Sequence, residues 1–341
     1  MVSKKNTTRA FAAGIAVLAL GLSACSSAKD DTATPASSGS ESASGGSGSG
    51  EAITVGFSQV GSESGWRAAN TKSIQDTLTK ENGFDLKFSD AQQKQENQIQ
   101  AIRSYIAQGV KYIAFSPVVE TGWDAVLQEA KAANIPVVLT DRAVDTQDTS
   151  LYKTFIGSDF VEEGKRIGEW VNDNVATKPI NVVELQGTTG SAPAIDRKQG
   201  FEDATKSNPN VKIIASQTGD FTRDGGKKVM EGFLQANPQI DLVYAHNDDM
   251  ALGAIEAIKA AGKVPGKDIK IVSIDGVKDG MTALANGEIN YIVECNPLLG
   301  PDLADIIKTL DSGGTVEPRI VTHDDAFDQA AAKEALPTRQ Y

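Results

Sequence analysis

The chain has 341 residues, a formal net charge of −12 and only two cysteines, Cys25 and Cys295. So acidic a chain is a poor partner for nucleic acid and for bare anionic lipid, which argues against both as ligands. Two cysteines cannot form a disulfide framework, so the stability must come from a packed core, which a chain of this length can build.

The first 24 residues have the pattern of a secretion signal. Three basic residues precede an apolar run over residues 10–22, which is shorter than the ~20 residues that a membrane-spanning helix needs. Leu22 and Cys25 stand at the −3 and +1 positions of a lipobox-like junction. We therefore expect residues 1–24 to be cleaved off and Cys25 to carry lipid; a plain signal peptide followed by an unrelated cysteine is the alternative. Loss of the three cations takes the formal charge from −12 to −15.

Residues 25–50 are predicted to form a lipidated tether. After the cysteine they are mostly Ser, Gly, Ala and Thr, with no apolar period that could pack. A coil of ~25 residues spans about 25 to 30 Å, enough to hold a folded body clear of a membrane surface. A tail without any role is the alternative. The predicted location is extracytoplasmic, at the outer face of the cell membrane, with residues 51–341 as the folded body.

Short apolar runs alternate with helical stretches through this body, which is typical of parallel sheets covered by helices on both faces. Two helices are clear: Asn97–Gln108, which Gly109 ends, and Met250–Ala261, which Gly262 ends. The predicted strands are, in chain order, Ile53–Ser58, Leu86–Ser89, Tyr112–Ser116, Val137–Thr140, Thr154–Gly157, Asn181–Leu185, Lys212–Ser216, Leu242–Ala245, Lys270–Ile274 and Tyr291–Val293.

Ten strands exceed what one open sheet of this kind usually holds, and the body is longer than a typical single domain. The predicted fold class is therefore α/β, with two doubly wound parallel-sheet lobes. We expect the first lobe to occupy residues 51–154 and the second to occupy residues 155–294.

Polar residues follow almost every predicted strand, and open α/β sheets bind ligands beyond the carboxyl ends of their strands. Asp90, Ser116 and Asp248 each precede a helix, so we interpret them as helix caps or turn formers. Asp141 and Arg142 are interpreted as ligand contacts, with a surface ion pair as the alternative. An adjacent carboxylate and guanidinium offer an acceptor and fork-shaped donors together, which suits neighbouring hydroxyl groups.

The second predicted lobe repeats this chemistry, because Arg197, Asn247 and Asp275 stand at equivalent strand or helix ends. Two aromatic residues complete the set: Trp66 opens the first helix, and Phe221 follows a strand. A sugar ring has apolar C–H faces and a hydroxyl edge, so flat side chains match its faces and charged planar groups match its edge. The predicted ligand is therefore a small carbohydrate.

The sequence contains no recognisable catalytic or metal-binding motif. His246 and His323 lack ligand residues at metal spacing, and no nucleophile elbow, phosphate loop or dinucleotide motif is found. Cys295 is interpreted as a small packed apolar group. We predict no enzymatic activity, no catalytic residues, no metal and no cofactor. A secreted enzyme acting on carbohydrate is the alternative, and it would need two carboxylates that straddle a bond.

Several long motifs carry a family resemblance; they lie at residues 55–69, 92–99, 183–188, 195–198, 219–223 and 244–250. On these motifs the body resembles the type I solute-binding proteins of bacterial ABC sugar importers, and most closely the galactofuranose-binding member. A sugar-responsive repressor has a similar two-lobed fold, but it would begin with a basic helix-turn-helix rather than a secretion signal.

The resemblance implies two lobes joined by three hinge crossings, with residues 295–321 returning to the first lobe and residues 322–341 to the second. It also implies a monomer that closes on one monosaccharide and delivers it to the permease of an ABC importer. The implied sugar contacts are Ser62, Glu63, Ser64, Gly65, Trp66, Arg67, Asp141 and Arg142 from the first lobe, and Arg197, Phe221, Asn247 and Asp275 from the second.

One departure from the family pattern leaves the sugar open. Where ribose-binding relatives carry glutamine, this chain has Cys295 beside Glu294, and residues 294–297 are reminiscent of hexose-importing relatives, including a fructose binder. A galactofuranose-like hexose is the expected ligand. Fructose, ribose, arabinose or a sugar-like signal with a sensory role are the alternatives.

Overall fold

A computed structural model describes residues 51–341. The predictions of a signal peptide over residues 1–24, of lipid on Cys25 and of a tether over residues 25–50 lie outside the described residues. In the described part, no helix is both long enough and apolar enough to cross a bilayer.

All ten predicted strands are present in the described chain, with ends shifted by no more than two residues. The strands are β1 Ile53–Gln59, β2 Phe84–Asp90, β3 Tyr112–Phe115, β4 Val137–Thr140, β5 Thr154–Gly157, β6 Ile180–Gln186, β7 Val211–Thr218, β8 Leu242–Ala245, β9 Lys270–Asp275, β10 Tyr291–Glu294, β11 Arg319–Val321 and β12 Ala326–Phe327. Sequence reasoning missed β11 and β12, because runs of three and two residues are too short to show a period.

The helices lie between the strands. They are α1 Gly65–Thr77, α2 Gln95–Gln108, α3 Asp124–Ala132, α4 Phe160–Asn174, α5 Ala192–Thr205, α6 Arg223–Ala236, α7 Asp248–Ala260, α8 Lys278–Ala285, α9 Gly300–Asp311 and α10 Gln329–Ala335, with short 3₁₀ turns at Thr149–Leu151 and Leu336–Thr338. The predicted helix end at Gly109 is confirmed, since this residue has a φ of 66° and closes α2 in the left-handed conformation that glycine favours.

The strands form two six-stranded sheets, ordered β11-β5-β4-β3-β1-β2 and β12-β10-β9-β8-β6-β7. Neighbouring strands are parallel except for β12, which runs antiparallel to β10. The chain passes between the sheets three times, after β5, after β10 and after β11. The predicted fold class, two parallel-sheet α/β lobes joined by three crossings, is confirmed.

The first crossing lies later in the chain than the expected boundary at Thr154. β5 pairs with β4 and with β11, so residues 155–157 belong to the first sheet and not to the second. Ile156 is fully buried in the core of that sheet. A period of apolar residues shows that a strand exists, but the sheet that it joins depends on partners far away in sequence. The assignment of whole lobes to these segments stays a prediction.

The interior strands are buried on both faces of their sheets. Val137–Thr140 is buried at every position, as is Leu242–Ala245, and neither sequence alternates between apolar and polar residues. This is the pattern expected of parallel strands covered by helices on both sides. At roughly 25 cal/mol for each Å² of apolar surface removed from water, these faces supply the main stabilisation.

Of the three residues interpreted as helix caps or turn formers, Asp248 and Ser116 are neither. Asp248 is not a cap: Asn247 caps α7, and the Asp248 carboxylate instead accepts hydrogen bonds from Gly276 N at 2.8 Å and Val277 N at 2.9 Å. Ser116 lies eight residues before α3 and donates to Asp141 Oδ2 at 2.9 Å. Asp90 is a turn former, since its Oδ1 accepts from Gln92 N at 2.7 Å. A polar residue at a strand end can bond across the sheet edge as well as along the chain, and only tertiary contacts decide which.

Candidate functional site

The carboxyl ends of the two sheets face a cavity of about 280 Å³, a volume that includes its opening to solvent. The cavity is lined by Glu63, Ser64, Trp66, Arg67, Asp141, Arg142, Pro193, Arg197, Phe221, Asn247, Asp275 and Cys295. Ten of the twelve predicted contact residues are therefore brought together at one place. The other two, Ser62 and Gly65, lie outside the lining: Ser62 is exposed, and Gly65 uses its N–H in a bond to Asp249. That these residues bind a ligand stays a prediction.

Arg67 donates hydrogen bonds to several residues at the carboxyl end of the first sheet, where that sheet meets the cavity. Its Nη2 donates to Asp141 Oδ2 at 2.6 Å, its Nε to Glu63 Oε1 at 3.0 Å and its Nη1 to Gln59 Oε1 at 3.1 Å. Burial alone would lower the pKa of Arg67, but Asp141 and Glu63 outweigh it, and the pKa lies above its ordinary value. The first helix can deliver Arg67 here because Ser64 caps it, accepting from Arg67 N at 3.1 Å.

Arg142 retains unused donors at the cavity wall. Its Nη1 donates to Val118 O at 3.2 Å, and its Nε is buried with no hydrogen-bond partner among the described residues. Burial, together with the neighbouring Arg67, lowers the pKa of Arg142 to about 10. A buried donor without a partner costs about 1 to 3 kcal/mol, so this wall favours a ligand that supplies acceptor oxygens.

Arg197 is the corresponding arginine of the second sheet. Its Nη1 donates to the His246 carbonyl at 2.5 Å, and its Nη2 lies 3.6 Å from Asp275 Oδ1. Burial raises the pKa of Asp275 well above its ordinary value, with Arg197 opposing that rise and Asp248 adding to it. The cavity thus presents a carboxylate beside an arginine on each side.

Phe221 provides the flat apolar surface of the cavity. The Arg142 guanidinium lies 5.3 Å from the centre of its ring. Asn247, the N-cap of α7, accepts a hydrogen bond from Met250 N through its Oδ1 at 3.0 Å. Its Nδ2 donates to the Phe221 carbonyl at 3.1 Å, so the same side chain also fixes the loop that carries Phe221. Gly187 makes room for the ring, since a Cβ at that position would overlap it.

Three residues of the cavity lining have strained backbone. Asp141, Phe221 and Asp275 have φ values of 62°, 61° and 122°, in a region that residues other than glycine rarely adopt. Each such residue costs on the order of 1 to 3 kcal/mol, and strain of this kind persists where the surrounding structure imposes it, often at binding sites. Strand-end position predicted these residues as contacts, but nothing in the sequence indicated their strain.

The two halves of the structure also contact each other directly beside the cavity. Gly65 N donates to Asp249 Oδ2 at 2.7 Å, and Glu120 N donates to Gly190 O at 3.0 Å. Trp66 Nε1 donates to the carbonyl of Cys295, at the second crossing, at 2.6 Å. The described structure is therefore a closed arrangement in which the cavity is covered from both sides.

Sequence reasoning missed two residues of the lining. Cys295 directly follows β10, the strand beside β9, so the strand-end rule that selected Asp275 could have found it. It is also buried, as its interpretation as a packed apolar group requires, and burial raises the pKa of its thiol well above the ordinary value. Pro193 lies in the first turn of α5, and no sequence signal marks it.

A family model described as a periplasmic binding protein domain matches residues 55–310. The chain belongs to this family. It is 52% identical over 292 residues to the galactofuranose-binding protein YtfQ of Escherichia coli, covering 84% of this chain and 92% of that protein. The family is one of binding proteins, in agreement with the prediction that the chain is not an enzyme.

Two solved structures are similar in both sequence and fold. A Mycobacterium smegmatis protein in complex with β-D-fucofuranose has 66% identity and a TM-score of 0.83, covering 85% of this chain and 96% of that one. The periplasmic binding protein component of the Shewanella sp. ANA-3 arabinose ABC transporter, bound to α- and β-L-arabinofuranose, has 51% identity and a TM-score of 0.81. The match covers 84% of this chain and 95% of the Shewanella chain.

Proposed function

We propose that this protein is an extracytoplasmic receptor that captures one monosaccharide, a galactofuranose-like hexose in its furanose form, and delivers it to an ABC importer. The observation that carries the proposal is the cavity itself. It combines Asp141 with Arg142 on one side, Asp275 with Arg197 on the other, and the ring of Phe221 next to both arginines. Hydroxyl groups suit such paired acceptors and donors, and an apolar ring face suits the aromatic surface.

The relatives support a furanose ring. YtfQ is named for galactofuranose, and the two solved structures hold fucofuranose and arabinofuranose, each described in that ring form. These three sugars differ in the substituents around a common five-membered ring. The shared ring form therefore favours furanose recognition in this chain more strongly than it favours any single sugar.

Binding would couple to closure through contacts on both sides of the cavity. Only a ligand that touches both halves favours the closed arrangement over the open one, and it does so by its difference in affinity for the two. A shift from mostly open to mostly closed needs about 5.5 kcal/mol. Charge-assisted hydrogen bonds of about 1.5 to 3 kcal/mol each, together with one stacked ring, reach that total.

The remaining parts of the proposal concern location and assembly. We infer that Cys25 is lipidated and tethers a monomeric receptor to the outer face of the membrane, where the closed form presents the sugar to the permease. The support is the lipobox-like junction and the polar segment that follows it.

A second candidate function is recognition of another sugar, with arabinose favoured among them. The observation behind it is the relative that holds L-arabinofuranose at 51% identity. Fructose and ribose, and a sensory role for a sugar-like signal, complete the alternatives.

The decisive experiment is isothermal titration of residues 51–341 with D-galactose, D-fucose, L-arabinose, D-fructose and D-ribose, followed by chromatography of the recovered sugar. We expect the tightest binding from a sugar with an accessible galacto-configured furanose form, and unchanged sugar on recovery. In thermal melts, that sugar should raise the Tm of the wild-type protein but not the Tm of Arg142→Ala or Asp275→Ala. Arg103→Ala, which removes an exposed arginine paired with Glu129, is the control. Turnover of the sugar, or full stabilisation in both cavity variants, would refute the proposal.

A further inference from the structure

Glu163 is a buried carboxylate directly behind Arg197, outside the cavity lining. It lies on α4 and is 2% exposed. Its Oε2 accepts a hydrogen bond from Arg197 Nε at 2.7 Å, whereas its Oε1 is buried with no hydrogen-bond partner in the described structure. A buried carboxylate is costly unless a specific contact compensates it, and here that contact is with a cavity arginine.

The close packing of α4 on α5 brings Glu163 to this position. Gly164, the next residue on α4, lies against the backbone of Arg197, where a Cβ would overlap the Arg197 carbonyl oxygen. Gly200 repeats the arrangement one turn later, since a Cβ there would overlap the Val161 carbonyl oxygen. Glycine at both contacts lets the two helix backbones approach closely, and at this separation the Glu163 side chain reaches Arg197 Nε.

Two nitrogens of the Arg197 guanidinium donate hydrogen bonds to other parts of the protein, and the third faces the cavity. Glu163 holds Nε, and the His246 carbonyl holds Nη1 at 2.5 Å. Nη2 lies 3.6 Å from Asp275 Oδ1, beyond hydrogen-bond distance, on the side that faces the cavity. A planar guanidinium held at two of its three nitrogens keeps one orientation, and its remaining N–H groups then have a fixed direction.

We propose that Glu163 is a positioning residue of the sugar site, which orients the Arg197 guanidinium so that its free donors meet the ligand. This inference rests on the proposed function, since it assigns Glu163 a role only through a sugar that Arg197 contacts. The competing explanation is a purely structural ion pair that ties α4 to α5. The two explanations differ in one measurable respect, because only a positioning role makes the effect of Glu163 on affinity depend on Arg197.

The test is a double-mutant cycle on residues 51–341, measured by isothermal titration with D-fucose, D-galactose and L-arabinose. The variants are Glu163→Ala, Arg197→Ala and the combination, with Glu163→Gln as the conservative replacement. Glu169→Gln is the matched control, since Glu169 is an exposed glutamate of the same helix whose ion pair among the described residues is with Lys165. Unfolding of each sugar-free variant is followed by circular dichroism, so that changes in stability are recorded separately from changes in affinity.

We expect Glu163→Ala to raise Kd about tenfold or more, in line with loss of a hydrogen bond to a charged group. Glu163→Gln keeps an oxygen that can accept from Nε but loses the negative charge, so it should raise Kd by a smaller factor, about threefold. In the Arg197→Ala background, Glu163→Ala should change Kd by less than about twofold, because there is no guanidinium left to orient.

The inference is overturned if Glu163→Ala is folded and leaves Kd within about twofold of wild type, or if the two single effects add in the combination. Should Glu163→Ala fail to fold, Glu163→Gln decides: a rise of about threefold or more in Kd supports positioning, and an unchanged Kd refutes it. An Arg197→Ala variant with wild-type affinity, or no binding of any of the three sugars, would instead overturn the proposed function and this inference with it.

Discussion

The hydrogen bond between Gly65 N and Asp249 Oδ2 predicts an effect on sugar affinity from outside the cavity. The bond is 2.7 Å long and joins the first turn of α1 to the first turn of α7, which belong to different halves of the structure. It can form only while the halves are closed. Its loss should therefore penalise the closed arrangement and leave the open one unaffected.

The magnitude follows from the burial and charge of Asp249. The residue is 6% exposed, and a hydrogen bond to a charged group contributes about 1.5 to 3 kcal/mol. A carboxylate at a helix N-terminus is favoured by the helix dipole as well. Arg223 Nη2, from the same half, lies 3.2 Å from Asp249 Oδ1 and limits the cost of burying the charge. The lower end of the range, ~1.5 kcal/mol, corresponds to about a tenfold change in the ratio of closed to open forms.

We expect Asp249→Ala to raise Kd about tenfold, and Asp249→Asn, which keeps an acceptor oxygen, to raise it by less. Stopped-flow binding should show that most of the change lies in faster dissociation, because the bond must break when the halves open. Asp203→Ala, an exposed aspartate that pairs with Lys206, is the control. A Kd within about twofold of wild type, or a change confined to the association rate, would refute the reasoning.

Three further predictions concern other parts of the chain. Gly187→Ala should raise Kd about tenfold, because the new methyl group displaces the Phe221 ring; an unchanged Kd by titration would show that the ring does not contact the sugar. Burial raises the pKa of Glu163 to about 7, so the folded protein binds the carboxyl proton of Glu163 more tightly than the unfolded chain does. This proton therefore adds to the free energy of unfolding below the unfolded pKa, and that contribution is lost as pH rises through about 7. Glu163→Gln should therefore flatten the fall of Tm between about pH 5 and pH 8 in thermal melts, and a slope equal to wild type would contradict this assignment. Cys25→Ser should move the full-length chain from the membrane fraction to the soluble fraction, whereas continued sedimentation with membranes would exclude lipid on this residue.

Short-range patterns in the sequence were sufficient for ten of the twelve strands and for most of the cavity lining. Apolar runs and glycine ends located ten strands and helices such as α2, because strand and helix periods are properties of neighbouring residues. The position of Asp141, Arg142 and Asp275 after strands also placed them at the sheet edge, since parallel strands all end on the same side. In the folded chain these residues line one cavity, as their position at strand ends predicted.

Long-range contacts decided what the sequence could not. Sheet pairing placed β5 in the first sheet, and the approach of α4 to α5 set Glu163 behind Arg197. Asp248 and Asp249 are adjacent in sequence, yet one binds the turn after β9 and the other reaches the opposite half of the structure. Whether a carboxylate caps its own helix or bonds to a distant backbone depends on which donors the folded chain brings within 3 Å, and that distance is set by packing between segments remote in sequence.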